Sequence, residues 1–547
     1  MSSIFDYGLQ KCAANYECLT PLSFLRRTAD VYPGMTAIIY RNRQITYRQL
    51  LERSMAFAGF LDGLGLVRGD TVSVMLPNIP QMVELQFGAI SGGRVLHAVN
   101  TRLDADAIRF QMEHAETKVL VFDSEYARVV ATALAKMKNP PRLVEVHDVH
   151  ASFPPSEINS AFSYERALES GASRSSLISP SDEWDAIAIS YTSGTTGNPK
   201  GVVTHHRGAY LNAMANVIAW SMRAHPVYLW VLPLFHCNGW CFPWTVTLLG
   251  GTHVCLRKVD AEEIIRLTNV HGVSNFCAAP VVLSSLAECA REGLGFNGPV
   301  NILTAGAAPA PRVIEDVERL GAVVTQVYGL TETYASTVVS AWQAPWNVYP
   351  PDERFRLKSR AGIQYPACEA LDVFGPNGEP VPRDGETIGE VVVRGNTVMR
   401  GYLKNPDATN EAFQGGWFHT GDLGVRDPDG YISIRDRSKD MINSGGEKMS
   451  SLEVEEVLLA HPAVFEAAVV AAPDPKWGEV PFAFVRLVDG AELSVDELVQ
   501  HCSERMARYK IPKRVVFGPI ERTATGKVQK FRLRELAKEW LATNAAA

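Results

Sequence analysis

At 547 residues the chain is longer than one hydrophobic core holds together, so two to four domains are expected. Apolar residues make up 46% and charged residues 21%, which excludes a disordered or fibrous chain. The 53 basic and 60 acidic side chains leave a formal charge of −7, which speaks against a general nucleic-acid surface, since that affinity rests on clustered Lys and Arg.

The opening Met-Ser-Ser-Ile-Phe-Asp lacks the basic and apolar regions of a secretory signal. Short apolar runs follow in chain order at Thr36–Tyr40, Thr71–Met75, Lys118–Phe122, Ala186–Tyr191, Tyr228–Leu232 and Val323–Val327, and each predicts a strand. Between them, Tyr47–Gly63 and Ala261–His271 carry helical apolar spacing. Such alternation predicts a layered α/β architecture. From Ala224 to Cys255 no side chain is charged, but Pro226, Pro233, Gly239, Pro243, Gly250 and Gly251 interrupt the stretch. A spanning helix needs about 20 uninterrupted apolar residues, so buried strands and turns are expected here and no membrane span.

Further on, Gly389–Arg394 and Tyr431–Asp436 predict strands of a β-rich subdomain. The composition changes at Arg437-Ser438-Lys439-Asp440. Ser450-Ser451-Leu452-Glu453 has the form of a capping box opening a helix that ends near His461-Pro462. Strands at Ala467–Ala471 and Ala483–Leu487 and a helix over Val495–Met506 complete a small α+β unit. The expectation is therefore an α/β protein. Residues 1–437 form a large N-terminal layered domain with a β-rich subdomain, hinged to a small α+β C-terminal domain, residues 438–547.

Nine cysteines, from Cys12 to Cys502, include no C-x-x-C pair, which fits a reducing compartment better than a disulfide scaffold. Cys237 and Cys241 read as buried thiols rather than metal ligands. The final Asn-Ala-Ala-Ala carries no peroxisomal or lipidation signal, and a cytoplasmic location is expected.

The strongest local motif is Tyr191-Thr192-Ser193-Gly194-Thr195-Thr196-Gly197-Asn198-Pro199-Lys200-Gly201, placed directly after a predicted strand. Its glycines let backbone turn closely around an anion, its hydroxyls and N–H groups can donate to phosphate oxygens, and Lys200 adds charge. It is not a Walker A loop, because Gly201 follows Lys200 where Ser or Thr would be needed. By composition alone, a Ser/Thr/Gly surface turn remains an equal alternative. Further along the chain stand Thr304-Ala305-Gly306-Ala307-Ala308-Pro309, Gln326-Val327-Tyr328-Gly329-Leu330-Thr331-Glu332-Thr333, Trp417-Phe418-His419-Thr420-Gly421-Asp422-Leu423, Ser444-Gly445-Gly446-Glu447-Lys448 and Arg522-Thr523-Ala524-Thr525-Gly526-Lys527-Val528-Gln529-Lys530.

These motifs, in this order from Tyr191 to Lys530, resemble those of the adenylate-forming superfamily, and most closely its AMP-forming acyl-CoA synthetases. The resemblance implies that Thr192–Lys200 binds phosphate, that Gly306, Ala307 and Ala308 border adenine and the acyl pocket, and that Tyr328 and Gly329 meet the base. It further implies that Thr331 contacts phosphate and Glu332 binds Mg²⁺, a hard cation suited to carboxylate and phosphate oxygens. Asp422 and Arg437 would take the ribose, Lys439 would be the hinge, and Ser444, Gly445 and Gly446 would line the CoA route. Lys527 would be the catalytic lysine.

The segment Leu234-Phe235-His236-Cys237-Asn238-Gly239-Trp240-Cys241-Phe242-Pro243-Trp244 follows a predicted strand, and in the family it approaches the acyl group. His236, Asn238 and Trp240, with Gly306, are the expected substrate-pocket residues. Phe242, Trp244 and Cys241 read as core. The wording resembles short- and medium-chain ligases, among them methylthiopropionate-CoA ligases, although Lys448 after Glu447 is more basic than that group's usual residue. The expected reaction joins a small carboxylic acid to CoA with ATP and Mg²⁺. The alternatives are a ligase that passes its adenylate to a carrier protein and an aryl-CoA ligase. Oligomeric state is not legible, a homodimer being compatible with the sequence. The pair His205-His206 and Thr523 have no assigned role.

Overall fold

Two sheets with parallel cores organise the larger part of the fold in the computed structural model, which describes residues 3–156, 158, 161–174, 176–192, 199–306, 309, 311–522 and 528–544. The nine-stranded sheet runs in the order Ile363–Gln364, Ala335–Val339, Ala322–Leu330, Val300–Thr304, Asn275–Ala278, Val227–Trp230, Thr252–Cys255, Thr36–Tyr40, Arg43–Thr46. The eight-stranded sheet runs Gly401–Tyr402, Lys200–His205, Ala186–Thr192, Val95–Ala98, Thr71–Met75, Thr117–Asp123, Arg142–Val146, Ala161–Ser163. Their inner strands are parallel and buried. Thr71–Met75 is buried at every position, as expected for a strand covered on both faces.

Local chemistry sets the ends of the elements. Thr46 caps the helix Tyr47–Gly63 by accepting from the Gln49 amide, while the Gln49 side chain returns to the Thr46 N–H. The expected strand Tyr228–Leu232 stops at Trp230, because the carbonyls of Trp230 and Leu232 bond the Asn78 side chain instead of a ladder. Val323–Val327 is longer than expected, at Ala322–Leu330, because Ala335–Val339 folds back on it antiparallel. The uncharged stretch forms the buried strands Val227–Trp230 and Thr252–Cys255 and the buried helix Phe242–Leu248. Among the described residues no helix is long and apolar enough to cross a membrane.

Arg257 joins the two sheets. It follows the strand Thr252–Cys255 and pairs with Asp123, at the end of a strand of the other sheet, and with Asp148. The three side chains are only 10%, 1% and 6% exposed, so each charge depends on the others for solvation.

A four-stranded antiparallel sheet follows, Ala370–Phe374, Gly389–Arg394, Phe418–Arg426 and Ile432–Arg437. The last part of the chain builds its own sheet from Glu447–Met449, Ile442–Ser444, Gly478–Leu487 and Val464–Asp474, with Arg514–Phe517 added parallel to Gly478–Leu487. One face packs against the helices Ser451–Leu459 and Val495–Ser503, the other against Lys530–Asn544.

The expected capping box at Ser450 forms by half. Ser450 accepts from the Leu452 and Glu453 amides, but Glu453 turns to Lys510 rather than back to the cap. The full box occurs at Ser494 and Glu497, opening Val495–Ser503.

Candidate active site

The site gathers where strands of the large sheets end. Thr192 and Lys200 face each other in the antiparallel pair Ala186–Thr192 and Lys200–His205. They form the base of the predicted phosphate loop. Ser193, Gly194, Thr195, Thr196 and Gly197 lie outside the described residues, as do Ala307, Ala308, Thr523 and Lys527.

The strand Ala322–Leu330 carries Tyr328 and Gly329 and passes directly into the single turn Thr331–Thr333. The Thr333 hydroxyl accepts from the Leu330 amide at 3.0 Å and fixes that turn. The turn presents Thr331 beside Cys237, with the sulfur 3.2 Å from the threonine hydroxyl. Glu332 accepts from the phenol of Tyr402 at 3.0 Å. A side chain at Gly329 would strike the Ala335 carbonyl, its Cβ falling 1.8 Å from that oxygen.

Asp422 is 5% exposed, and both of its oxygens are engaged. The Tyr328 phenol donates to one at 2.7 Å, and Arg437 Nε lies 3.1 Å from the other. Burial and the Asp422 charge raise the Tyr328 pKa well above its ordinary value, which keeps the phenol a donor. Asp422 and Arg437 are opposed across neighbouring strands, so sheet register places the pair. A carboxylate offers about four lone-pair positions, leaving acceptor capacity for a diol.

A cavity of about 360 Å³ lies next to these groups. His236, Cys237, Trp240, Gly306, Gly329 and Thr331 line it, with apolar walls from Val231, Leu232, Val281 and Val282. Gly306 has a φ of +98°, a conformation that favours glycine. The turn from Cys237 to Cys241 is left-handed throughout, with φ between 40° and 64°. Such backbone is costly for the four non-glycine residues and persists only where packing dictates it. Here Gly239 lies against Trp230, where a Cβ would come within 2.8 Å of the indole, and the Asn216 amide holds the Trp240 carbonyl at 3.0 Å. The turn sets Trp240 in the cavity wall. Cys241, Phe242 and Trp244 lie in the core behind it.

Asn238 departs from expectation. It is fully buried and bonded to Ser190, 3.3 Å away, and it does not line the cavity, because the left-handed turn carries it behind the wall. The Ser444–Gly446 segment also lies apart from the cavity. Gly445 and Gly446 form the tip between Ile442–Ser444 and Glu447–Met449, and Gly445 abuts Trp477. Lys439 is placed between Ile432–Arg437, the last strand of the four-stranded sheet, and Ile442–Ser444 of the following sheet.

Three residues join the site that were not among the expected site residues. Arg522, beside the segment that contains Lys527, lines the cavity from the small domain. Cys237 and Tyr402 meet Thr331 and Glu332 across long sequence separations, and no local pattern reports such contacts. The pair His205-His206 is structural. His205 caps the helix His206–Ala219, and His206 bonds the Thr20 hydroxyl at 2.9 Å.

The protein-family model described as AMP-binding enzyme matches residues 25–403, and that of the AMP-binding enzyme C-terminal domain matches residues 453–527. The chain is 45% identical to the peroxisomal acetate/butyrate–CoA ligase of Arabidopsis thaliana, over 97% of this chain and 96% of that one. It is 44% identical to the 2-methylpropanoate–CoA ligase of Humulus lupulus, over 97% of each. Among solved structures, the o-succinylbenzoate CoA synthetase of Bacillus subtilis with ATP and magnesium superposes with a TM-score of 0.78 at 27% identity, over 93% of this chain and 98% of that one.

Proposed function

The chain belongs to the AMP-binding enzyme family, and on that premise we propose that its acid is short to medium in length, aliphatic or thioether-containing, of the size of butyrate or 3-methylthiopropionate. The enzyme is an acid–thiol ligase that joins a carboxylic acid to CoA with ATP and Mg²⁺. The observation that carries the substrate reading is Trp240 in the wall of a largely apolar cavity of about 360 Å³, with Gly239 packed against Trp230 in the same turn. The short acids in the names of the similar ligases support the same reading.

In the first half-reaction the carboxylate attacks the α-phosphorus and pyrophosphate leaves. Both reactants are anionic, so the site must offset repulsion and hold them in line. In our reading Lys200 and the loop it closes take the phosphates, Thr331 donates to them, and Asp422 with Arg437 holds the ribose beside Tyr328. Glu332 fits Mg²⁺ as a single hard carboxylate. A Mg²⁺ ion bound there would take its remaining ligands from phosphate oxygens and water. When bound, Mg²⁺ neutralises phosphate charge. Lys527 would add charge at the reacting phosphate.

In the second half-reaction the CoA thiol attacks the acyl carbon and AMP leaves. We assign residues 1–437 to the large domain and 438–547 to a small domain that turns about Lys439. That turn would withdraw the segment after Arg522 and bring the Gly445-Gly446 tip to the CoA route. His236 would gate the acyl pocket, which it lines.

The test is AMP and pyrophosphate release across acetate, propionate, butyrate, hexanoate, octanoate, palmitate, 3-methylthiopropionate and benzoate, with and without CoA. CoA-dependent turnover centred on the three- to six-carbon acids is expected. A preference for palmitate or benzoate would overturn the substrate reading. Adenylate formation that ignores CoA would point instead to a carrier-protein acceptor.

A further inference from the structure

We propose that Tyr402 is a positioning residue that fixes the Glu332 carboxylate and the Lys200 ammonium in one arrangement, so that the metal and phosphate contacts act as a unit. This inference rests on the reading of Glu332 as the Mg²⁺ ligand.

Tyr402 touches both groups. Its phenol donates to Glu332 Oε1 at 3.0 Å, and Lys200 Nζ lies 4.6 Å from the centre of its ring. A cation at that distance over an aromatic face is held electrostatically. The last torsion of a glutamate is broad, so a directed donor such as the Tyr402 phenol narrows the orientations of the carboxylate.

The backbone around Tyr402 is pinned on both sides. Gly401-Tyr402 adds an edge strand to Lys200–His205, pairing with Val203 and Val202. The Met399 amide donates to the Glu332 carbonyl and the Leu403 amide to the Gly201 carbonyl, each at 2.7 Å. The Tyr402 amide donates to the Thr409 hydroxyl at 2.9 Å. One short segment therefore straps the exit of the phosphate loop to the turn that bears Glu332. A phenol held this firmly can orient its partner before any ligand arrives, which is where preorganised charge is most effective.

The experiment measures ATP affinity by titration calorimetry across a Mg²⁺ series, on the full chain. Tyr402→Phe should require about tenfold more Mg²⁺ for half-maximal tightening of ATP binding, the factor that corresponds to 1.4 kcal/mol. Its metal-free ATP affinity should match wild type, because the ring under Lys200 remains. Tyr402→Leu should in addition weaken metal-free ATP binding, by about threefold for a lost cation–aromatic contact. In a Glu332→Gln background, Tyr402→Phe should add nothing. A Mg²⁺ requirement within twofold of wild type, or effects that add fully in the double variant, would overturn the proposal. Failure of Tyr402→Phe to fold would overturn it too, since the hydroxyl would then be structural. If Glu332→Gln leaves the Mg²⁺ dependence untouched, the metal reading of Glu332 falls first, and the two failures are told apart.

Discussion

Asp436 accepts two hydrogen bonds from Ser451 through one carboxylate oxygen, from the amide at 2.6 Å and from the hydroxyl at 2.7 Å. Asp436 belongs to the last strand of the four-stranded sheet, and Ser451 opens the first helix of the small domain. With the Ser450 hydroxyl donating to the Arg435 carbonyl, the contact ties the small domain down while Arg522 lines the cavity. The rotation about Lys439 proposed above would break it. Ser451→Ala should therefore slow ATP–pyrophosphate exchange by about tenfold, as for loss of a bond to a charged group worth about 1.5 kcal/mol. Acyl transfer from preformed adenylate to CoA should stay within twofold. Equal losses in both half-reactions would show that Ser451 only stabilises its helix.

Asp422 meets Tyr328 and Arg437 together, and its charge organises both. Asp422→Asn keeps the shape but removes the ionised acceptor that two donors and a ribose would share. The KM for ATP should rise at least about tenfold, matching loss of one charge-assisted bond. The KM for the acid should move less than twofold. Parallel rises in both would place Asp422 outside nucleotide binding.

Arg257 stabilises the joint between the two large sheets, and its replacement leaves Asp123 and Asp148 buried without a cation. Breaking such a pair costs about 3–5 kcal/mol. Arg257→Ala should lower the thermal unfolding temperature markedly, and Asp123→Asn in the same chain should recover part of the loss. Unchanged melting would refute the role of this network.

Acid should unfold the protein before its carboxylates titrate. His97, His205, His206 and His253 are buried, and burial lowers their pKa values from 6.5 to about 4, 4, 3 and 3, with Asp185 opposing the shift at His206. Their unfolded forms take up protons first, so stability is full above pH 6.5 and falls as pH drops toward 4. Each histidine contributes up to about 1.4 kcal/mol per pH unit in that window. Urea melts at pH 7.5, 6 and 5 should show a steep decline, and a flat profile would contradict the assignment of these rings as neutral.

Periodicity located Thr36–Tyr40, Tyr47–Gly63, Thr71–Met75, Ala261–His271 and Gly389–Arg394 as they occur in the fold. It misplaced the ends of Tyr228–Leu232 and Val323–Val327, because a side-chain amide from Asn78 and a returning antiparallel strand decided them. It expected a full capping box at Ser450, where only half forms, since Glu453 has a remote partner in Lys510 that no local pattern reveals.

What the sequence determined alone is the set of chemical groups. Thr331, Glu332, Asp422 and Arg437 were legible through their motifs' resemblance to a family, whereas the Thr331–Thr333 turn and the pairing of Asp422 with Arg437 came with the fold. What only the tertiary structure decided is which groups meet. Tyr402 reaches Glu332 and Cys237 reaches Thr331 because separate strands and turns end at the same place. Trp240 walls the cavity, and Asn238 does not, because a left-handed turn is wedged against Trp230. Backbone of that hand is unfavourable by itself and exists only where surrounding packing outweighs its strain, so no reading of neighbouring residues could have supplied it.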